Sequence, residues 1–124
     1  MKKFTIKTGT ATDFFRRGKL LAKLADAGKE LPNEAIVSFE DSADLLRLLT
    51  QARLALFRAV KEQPDSITGI SERLPRDRSA VKRDVDILEK VGMVSVESKI
   101  LQGHGRMKEV RVTAQQFRLE ANLV

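Results

Sequence analysis

The chain has 124 residues, short of the roughly 150 of an average domain, so one core with a small appended element is expected. Charged residues make up 32% and hydrophobic residues 42%, which suits a folded chain, and no apolar run nears the roughly 20 residues of a membrane span. There are 23 Lys and Arg against 17 Asp and Glu (net +6), no cysteine and one histidine, His104, which excludes disulfides, thiolate zinc sites, thiol catalysis and multi-histidine metal sites.

Residues 3–8 (KFTIKT) alternate, with Phe4 and Ile6 on one side, and predict a strand. Thr10, with Asp13 three residues later, predicts an N-cap for a helix from about Ala11 to Ala27. Phe14, Leu21, Leu24 and Ala25 share one face of it, as packing or as a dimer surface, and Gly28 is its stop. Ala35–Glu40 (AIVSFE) predicts a second strand. Asp41 or Ser42 opens a short helix, DSADLLRLL, whose leucines read as packing. Thr50 caps the next helix, Gln51 to Glu62, where Leu54, Phe57 and Val60 form an apolar stripe.

Beyond Pro64, Ser66 and Ile67 are expected to be extended, with Thr68 capping a very short helix that ends at Leu74 before Pro75. Asp77 is the expected cap of a longer helix to about Val91, closed by Gly92. The period then changes to two. A strand is predicted over 93–98 (MVSVES), a polar loop over 99–108 with Gly103 and Gly105, a returning strand over 109–113 (EVRVT), and a last strand through Phe117, Leu119, Ala121 and Leu123.

The basic excess is steeper late in the chain: residues 51–124 carry 14 basic and 10 acidic side chains, against 9 and 7 in residues 1–50. In the helix after Asp77, Val81, Val85, Leu88 and Val91 recur at helical spacing and must face a core. Ser79, Lys82, Arg83 and Asp86 then lie opposite, with Arg78 at the N-terminal edge and Arg76 in the preceding turn. Capping is expected to occupy Asp77, and Asp84, near the core edge, reads as an ion-pair residue. A helix bearing Arg, Lys and Ser on its outer face suits the major groove, where Arg and Lys read guanine edges. Lys99, Arg106 and Lys108 in the 99–108 segment suit phosphates or the minor groove. The plainer readings are a solvated helix face with a Lys82–Asp86 pair and an ordinary exposed hairpin tip.

No nucleophile elbow, phosphate loop or metal spacing occurs, so the chain is not expected to be an enzyme or to take a cofactor or metal. His104, between two glycines and far from any other ligand type, is not expected to bind or catalyse. RNA binding is disfavoured because no aromatic lies on the basic face to stack bases. The N-terminus MKKFTIKTGT lacks the apolar stretch of a signal peptide, so a cytoplasmic location is expected.

The segment LTQARLALFRAVKEQPDSITGISERLPRDRSAVKRDVDILEKVGMVSVES resembles the winged helix-turn-helix superfamily of prokaryotic transcriptional regulators. SITGISERL and RDRSAVKRDVDILEKVGMV look like its second and recognition helices, and Leu88, Glu89, Gly92 and Met93–Val94 form its closing phrase. The whole chain resembles, more narrowly, a family of short DNA-binding, antitoxin-like regulators, through VSFEDSADLLRLLTQARLALFRAV and the Lys82–Arg83–Asp84–Val85 core. The resemblance implies an α+β fold with a winged helix-turn-helix DNA-binding domain over 41–124. Residues 1–40 form a strand–helix–strand extension, expected to dimerise with help from the last strand. It further implies a homodimeric, sequence-specific regulator of double-stranded DNA, with helix 78–91 in the major groove and Arg76 and the 99–108 wing on the backbone. Autoregulation and a toxin partner would follow from the narrower match. The competing reading is a winged helix that binds protein and not DNA.

Overall fold

The computed structural model describes residues 2–103 and 105–123; His104 lies outside the described residues. The elements run β1 (Lys3–Thr8), α1 (Ala11–Asp26), β2 (Glu34–Phe39), α2 (Ser42–Leu48), α3 (Gln51–Glu62), α4 (Ile67–Arg73), α5 (Arg78–Lys90), β3 (Val94–Leu101), β4 (Gly105–Val112) and β5 (Gln116–Glu120). The fold is α+β. Two compact units form, one from the residues up to Arg47 together with those from Ala114 onward, the other Leu48–Thr113. The expected division at 40/41 differs from this in two respects: the first unit runs on to Arg47 and so takes in most of α2, and β5 joins it by pairing with β1.

In the first unit β1 is the central strand, parallel to both β2 and β5. Period-two alternation puts Phe4 and Ile6 on one face, level with Ala35 and Val37 of β2 and Phe117 and Leu119 of β5. Phe4 and Ile6 are buried, and the Phe4 and Phe117 rings lie 5.6 Å apart. Thr10 and Asp13 form the complete capping box of α1: the Thr10 hydroxyl accepts from Asp13 N at 3.1 Å, and Asp13 Oδ2 accepts from Thr10 N at 3.2 Å. Gly28, at φ 68°, ends the chain's helical course. No residue of α1 is buried, and Phe14 and Phe15 are both 65% exposed. The predicted apolar face is therefore covered only in part: Leu21 and Leu24 are half-buried, while Phe14 and Ala25 are exposed.

The second unit is built on α3, α4, α5 and the β3–β4 hairpin. Leu56, Phe57 and Val60 of α3, Ile70 of α4, Val81, Val85 and Leu88 of α5, and Val94 and Val110 of the hairpin are all buried. Burying each such side chain stabilises by roughly 1.5–3 kcal/mol, so α5 is held by its inner stripe and not by its own hydrogen bonds. The Thr50 hydroxyl accepts from Arg53 N at 3.2 Å and caps α3.

The cap of α4 is Ser66 and not Thr68: the Ser66 hydroxyl accepts from Gly69 N at 3.0 Å, and Ile67 is already helical. Asp65 explains the shift. Its carbonyl accepts from Val110 N at 2.8 Å and its carboxylate from Ser66 N at 2.7 Å, so the extended stretch ends at Asp65, bridged to β4. Gly69 closes this corner, since a Cβ there would run into the Asp65 carboxylate. Asp77 stands at the N-cap of α5 without making a cap hydrogen bond; it takes the Ser79 hydroxyl instead.

The hairpin is longer than expected. The ladder runs from Val94–Val112 to Leu101–Gly105, so most of the segment predicted as a polar loop is paired strand. The ladder's hydrogen bonds are made by backbone groups, so polar side chains disfavour such pairing without preventing it. Gly103 and Gly105, at φ 80° and 76°, supply the left-handed residues of a short connection.

Candidate nucleic-acid interface

The α4–turn–α5 segment fixes the outer face of α5. With Val81, Val85 and Leu88 turned inward, Ser79, Lys82, Arg83 and Asp86 are exposed, as the helical period requires. One open, shallow surface on α5 is lined by Arg78, Ser79, Lys82, Arg83, Asp86 and Lys90 together with Asp77, Ile87 and Glu89. The basic side chains crowd its N-terminal half, and Asp86 and Glu89 lie further along.

The side chains differ in how far they are committed. Arg83 has no hydrogen-bond or ion-pair partner for its side chain among the described residues. Lys82 Nζ meets Asp86 Oδ2 at 3.0 Å, both more than half exposed, the plain helical pair the spacing allows. Such a pair contributes about 0–1 kcal/mol, so exchanging Asp86 for another anion costs little. Arg78 Nε donates to the Thr68 hydroxyl at 3.0 Å and so leans back onto α4. Ser79 donates to Asp77.

Arg76 departs from the expectation that it holds a phosphate. Its Nη2 donates to Asp84 Oδ2 at 2.7 Å, and its Nη1 is buried without a partner among the described residues. Asp84, only 3% exposed, also accepts from Arg53 Nε at 3.1 Å, while Arg53 Nη1 donates to the Leu48 carbonyl at 3.0 Å. Burial pushes the Asp84 carboxyl up, but the hydrogen bonds and charges of Arg76 and Arg53 outweigh it and hold the group below the usual carboxylate range. Asp84 is thus the ion-pair residue that its place in the helix suggests. It ties α5 to α3 and to its own leading turn.

The hairpin divides its basic residues by face. Arg106 and Lys108 stand on β4, opposite Ile100 and Ser98, exposed and without side-chain partners among the described residues. They sit on a paired strand and not on a glycine loop. Lys99 lies on the other face, where its Nζ reaches Glu109 Oε2 at 3.4 Å. Glu109, buried in mid-strand, also accepts from Arg111. Burial raises the Glu109 carboxyl, and Arg111 and Lys99 together bring it below its ordinary value.

Sequence reasoning missed Arg53, Arg73, Glu109 and Arg111 as members of these networks. Arg73 donates to the carbonyls of Ala59 and Gln63 at 3.2 and 2.7 Å, joining α4 to the end of α3. Only Glu109 carries a signal, an acid at an alternating position between basic neighbours; the partners of the arginines depend on the tertiary fold. Among the described residues no group of three His, Cys, Asp or Glu is placed to hold a metal, and no helix is long and apolar enough to cross a membrane.

The chemistry available at this surface is recognition. Arg83 presents a free planar fork of donors, suited to the O6 and N7 acceptors of guanine; Lys82 adds a donor beside it, and the Ser79 hydroxyl, whose proton is given to Asp77, offers an acceptor one turn away.

Among solved structures, the chain is similar to a possible transcriptional regulator from Methanosarcina mazei Go1, with 20% identity and a TM-score of 0.49, covering 62% of this chain and 68% of that one. It is also similar to a MarR-like transcriptional regulator from Thermotoga maritima, with 25% identity and a TM-score of 0.46, covering 85% of this chain and 66% of that one. No curated protein matches the sequence. The model of the HVO_A0114 family matches residues 48–119, more than half of the chain and the whole stretch from α3 through the hairpin. The chain belongs to the HVO_A0114 family.

Proposed function

We propose that the chain is a cytoplasmic, sequence-specific regulator of transcription that binds double-stranded DNA, with α5 in the major groove and the tip of the β3–β4 hairpin on the phosphate backbone. The observation that carries this reading is the pairing of Val81, Val85 and Leu88, wholly buried, with a partner-free Arg83 and an easily released Lys82 on the opposite face. Such a helix is rigidly backed and chemically open. Arg83, Lys82 and Ser79 then meet bases, Arg78 and the hairpin's Arg106 and Lys108 meet phosphates, and Arg76 positions α5 through Asp84.

In its fuller form the reading includes a homodimer and, following the resemblance to antitoxin-like regulators, control of the chain's own operon with a toxin as second partner. Exposed Phe14, Phe15 and Leu119 and the open edges of β2 and β5 support a self-association surface in the N-terminal unit. The decisive test of function is a gel-shift titration on the duplex upstream of the chain's own reading frame against a scrambled duplex of equal composition. Retardation of the first at concentrations at least 100-fold lower supports the reading. Equal affinity for both defeats sequence-specific regulation, and no retardation of either leaves the protein-binding winged helix in its place.

A further inference from the structure

The N-terminal unit carries a second concentration of positive charge. One open concavity is lined by Lys7, Arg16, Arg17, Lys19, Leu20 and Lys23, with Asp13 as its only acid. Asp13 is already used: it closes the capping box with Thr10, and Arg16 Nη1 lies 3.8 Å from its Oδ1. The backbone and hydroxyl of Thr10, and then Arg16 and Lys7, hold its carboxyl below the usual range, so it remains ionised and can offset only one of the five cations. The Arg17, Lys19 and Lys23 side chains have no partner among the described residues.

The spacing is specific. Arg16, Lys19 and Lys23 fall within about 60° of one another around α1 and span about 10 Å of its length at 1.5 Å per residue. One strand of a duplex presents about three phosphates over that distance, at 3.4 Å each along the axis. The concavity itself holds no aromatic side chain and only Leu20 as a large apolar one, and its five cations against one acid favour the phosphates of a duplex; exposed Phe14 and Phe15 line the neighbouring surface that Lys19 shares.

We propose that the basic flank of α1, through Arg16, Lys19 and Lys23, is a second phosphate-binding surface that grips the backbone of duplex DNA independently of α5 and the hairpin. The identity of the partner rests on the DNA reading above; the site itself does not, since it belongs to the other unit. The contacts carry no sequence information, so their effect is on affinity and its salt dependence.

The test compares the full chain with its Arg16→Gln/Lys19→Gln/Lys23→Gln variant by fluorescence anisotropy on cognate and scrambled duplexes between 50 and 200 mM salt. Losing three phosphate contacts should make the log–log salt slope shallower by about 2.7, equivalent to an affinity loss over that range about 40-fold smaller than the parent's. The ratio of cognate to scrambled affinity should not move, and thermal denaturation should coincide, because the three side chains are exposed. A variant that keeps the parent slope overturns the inference while leaving the proposed function standing. If Lys82→Ala/Arg83→Ala keeps cognate preference and only the α1 variant loses affinity, the α1 surface stands and the α5 assignment falls. If the full chain binds neither duplex, both fall. Binding to vesicles of anionic lipid that exceeds binding to duplex, and that the triple variant loses, overturns the inference in favour of a membrane surface.

Discussion

Asp84 and Arg76 are joined across 2.7 Å between the buried side of α5 and the turn that leads into it. Arg53 reaches the other oxygen of the same carboxylate from α3, at 3.1 Å. The outer face of α5 is therefore set twice, by an apolar stripe and by a charged clamp. The apolar stripe fixes which side of the helix is inside. The clamp fixes where the helix begins relative to α3, and with it the height at which Arg78, Ser79, Lys82 and Arg83 are presented.

Replacing Asp84 with Asn should destabilise the protein by about 3 kcal/mol, because the carboxylate that Arg53 and Arg76, 17% and 24% exposed, both meet would lose its charge. Urea denaturation of parent and variant measures this. A loss under about 1 kcal/mol would show that water compensates the arginines and that the clamp is not structural.

The same carboxylate gives stability a defined acid limb. Asp84, Glu109 and Asp13 are all held below their ordinary values in the folded chain, so the unfolded chain takes up protons first as pH falls. Their contribution is complete above the unfolded carboxylate range, near pH 5, and is lost as pH falls below about 4 towards the folded values. Urea midpoints should be flat from pH 7 to about 5 and drop below about 4, with a shallower drop in Asp84→Asn. An identical acid limb in parent and variant would remove Asp84 from this account.

Much of this was legible in the sequence, because local rules and periodicity cover it. Thr10 with Asp13, Thr50 before α3, and the Val81–Val85–Leu88 stripe each depend on residues within a turn or two, and each appears in the structure. The outer positions Ser79, Lys82 and Arg83 follow from the stripe by geometry alone. What escaped depends on distant partners. Asp65 bridges to Val110, 45 residues later, and that moves the cap of α4 from Thr68 to Ser66. Arg76 finds Asp84 only once the turn is folded. Lys99 and Arg106 look like loop residues until β3 and β4 are paired, since the ladder is a property of the two strands together.

Arg83 and Arg106 should separate base reading from backbone binding. Arg83→Ala is expected to cost cognate binding about 1–3 kcal/mol and to leave scrambled binding nearly unchanged. Arg106→Ala should weaken both duplexes alike and reduce the salt slope by about one. Titrating each variant against both duplexes checks this; a cognate-to-scrambled ratio that moves with Arg106 and not with Arg83 would reverse the roles of helix and hairpin.

Self-association should run through the N-terminal unit, where α1 buries none of its residues and β2 and β5 have open edges. Light scattering of the full chain at micromolar concentration should give the mass of a dimer, and Phe14→Ser/Phe15→Ser should shift it to the monomer without changing the melting of the fold. A monomeric parent, or a dimer unaffected by that variant, contradicts this assignment.

The central claim, that α5 and the hairpin form a surface for duplex DNA, is tested most directly by the salt dependence of binding. The three phosphate contacts of Arg78, Arg106 and Lys108, with three from the flank of α1, predict a log–log slope of about −5 for the full chain on its cognate duplex and about −3 for its Arg16→Gln/Lys19→Gln/Lys23→Gln variant, in which only α5 and the hairpin remain. A slope near zero, or no binding at 50 mM salt, would contradict it.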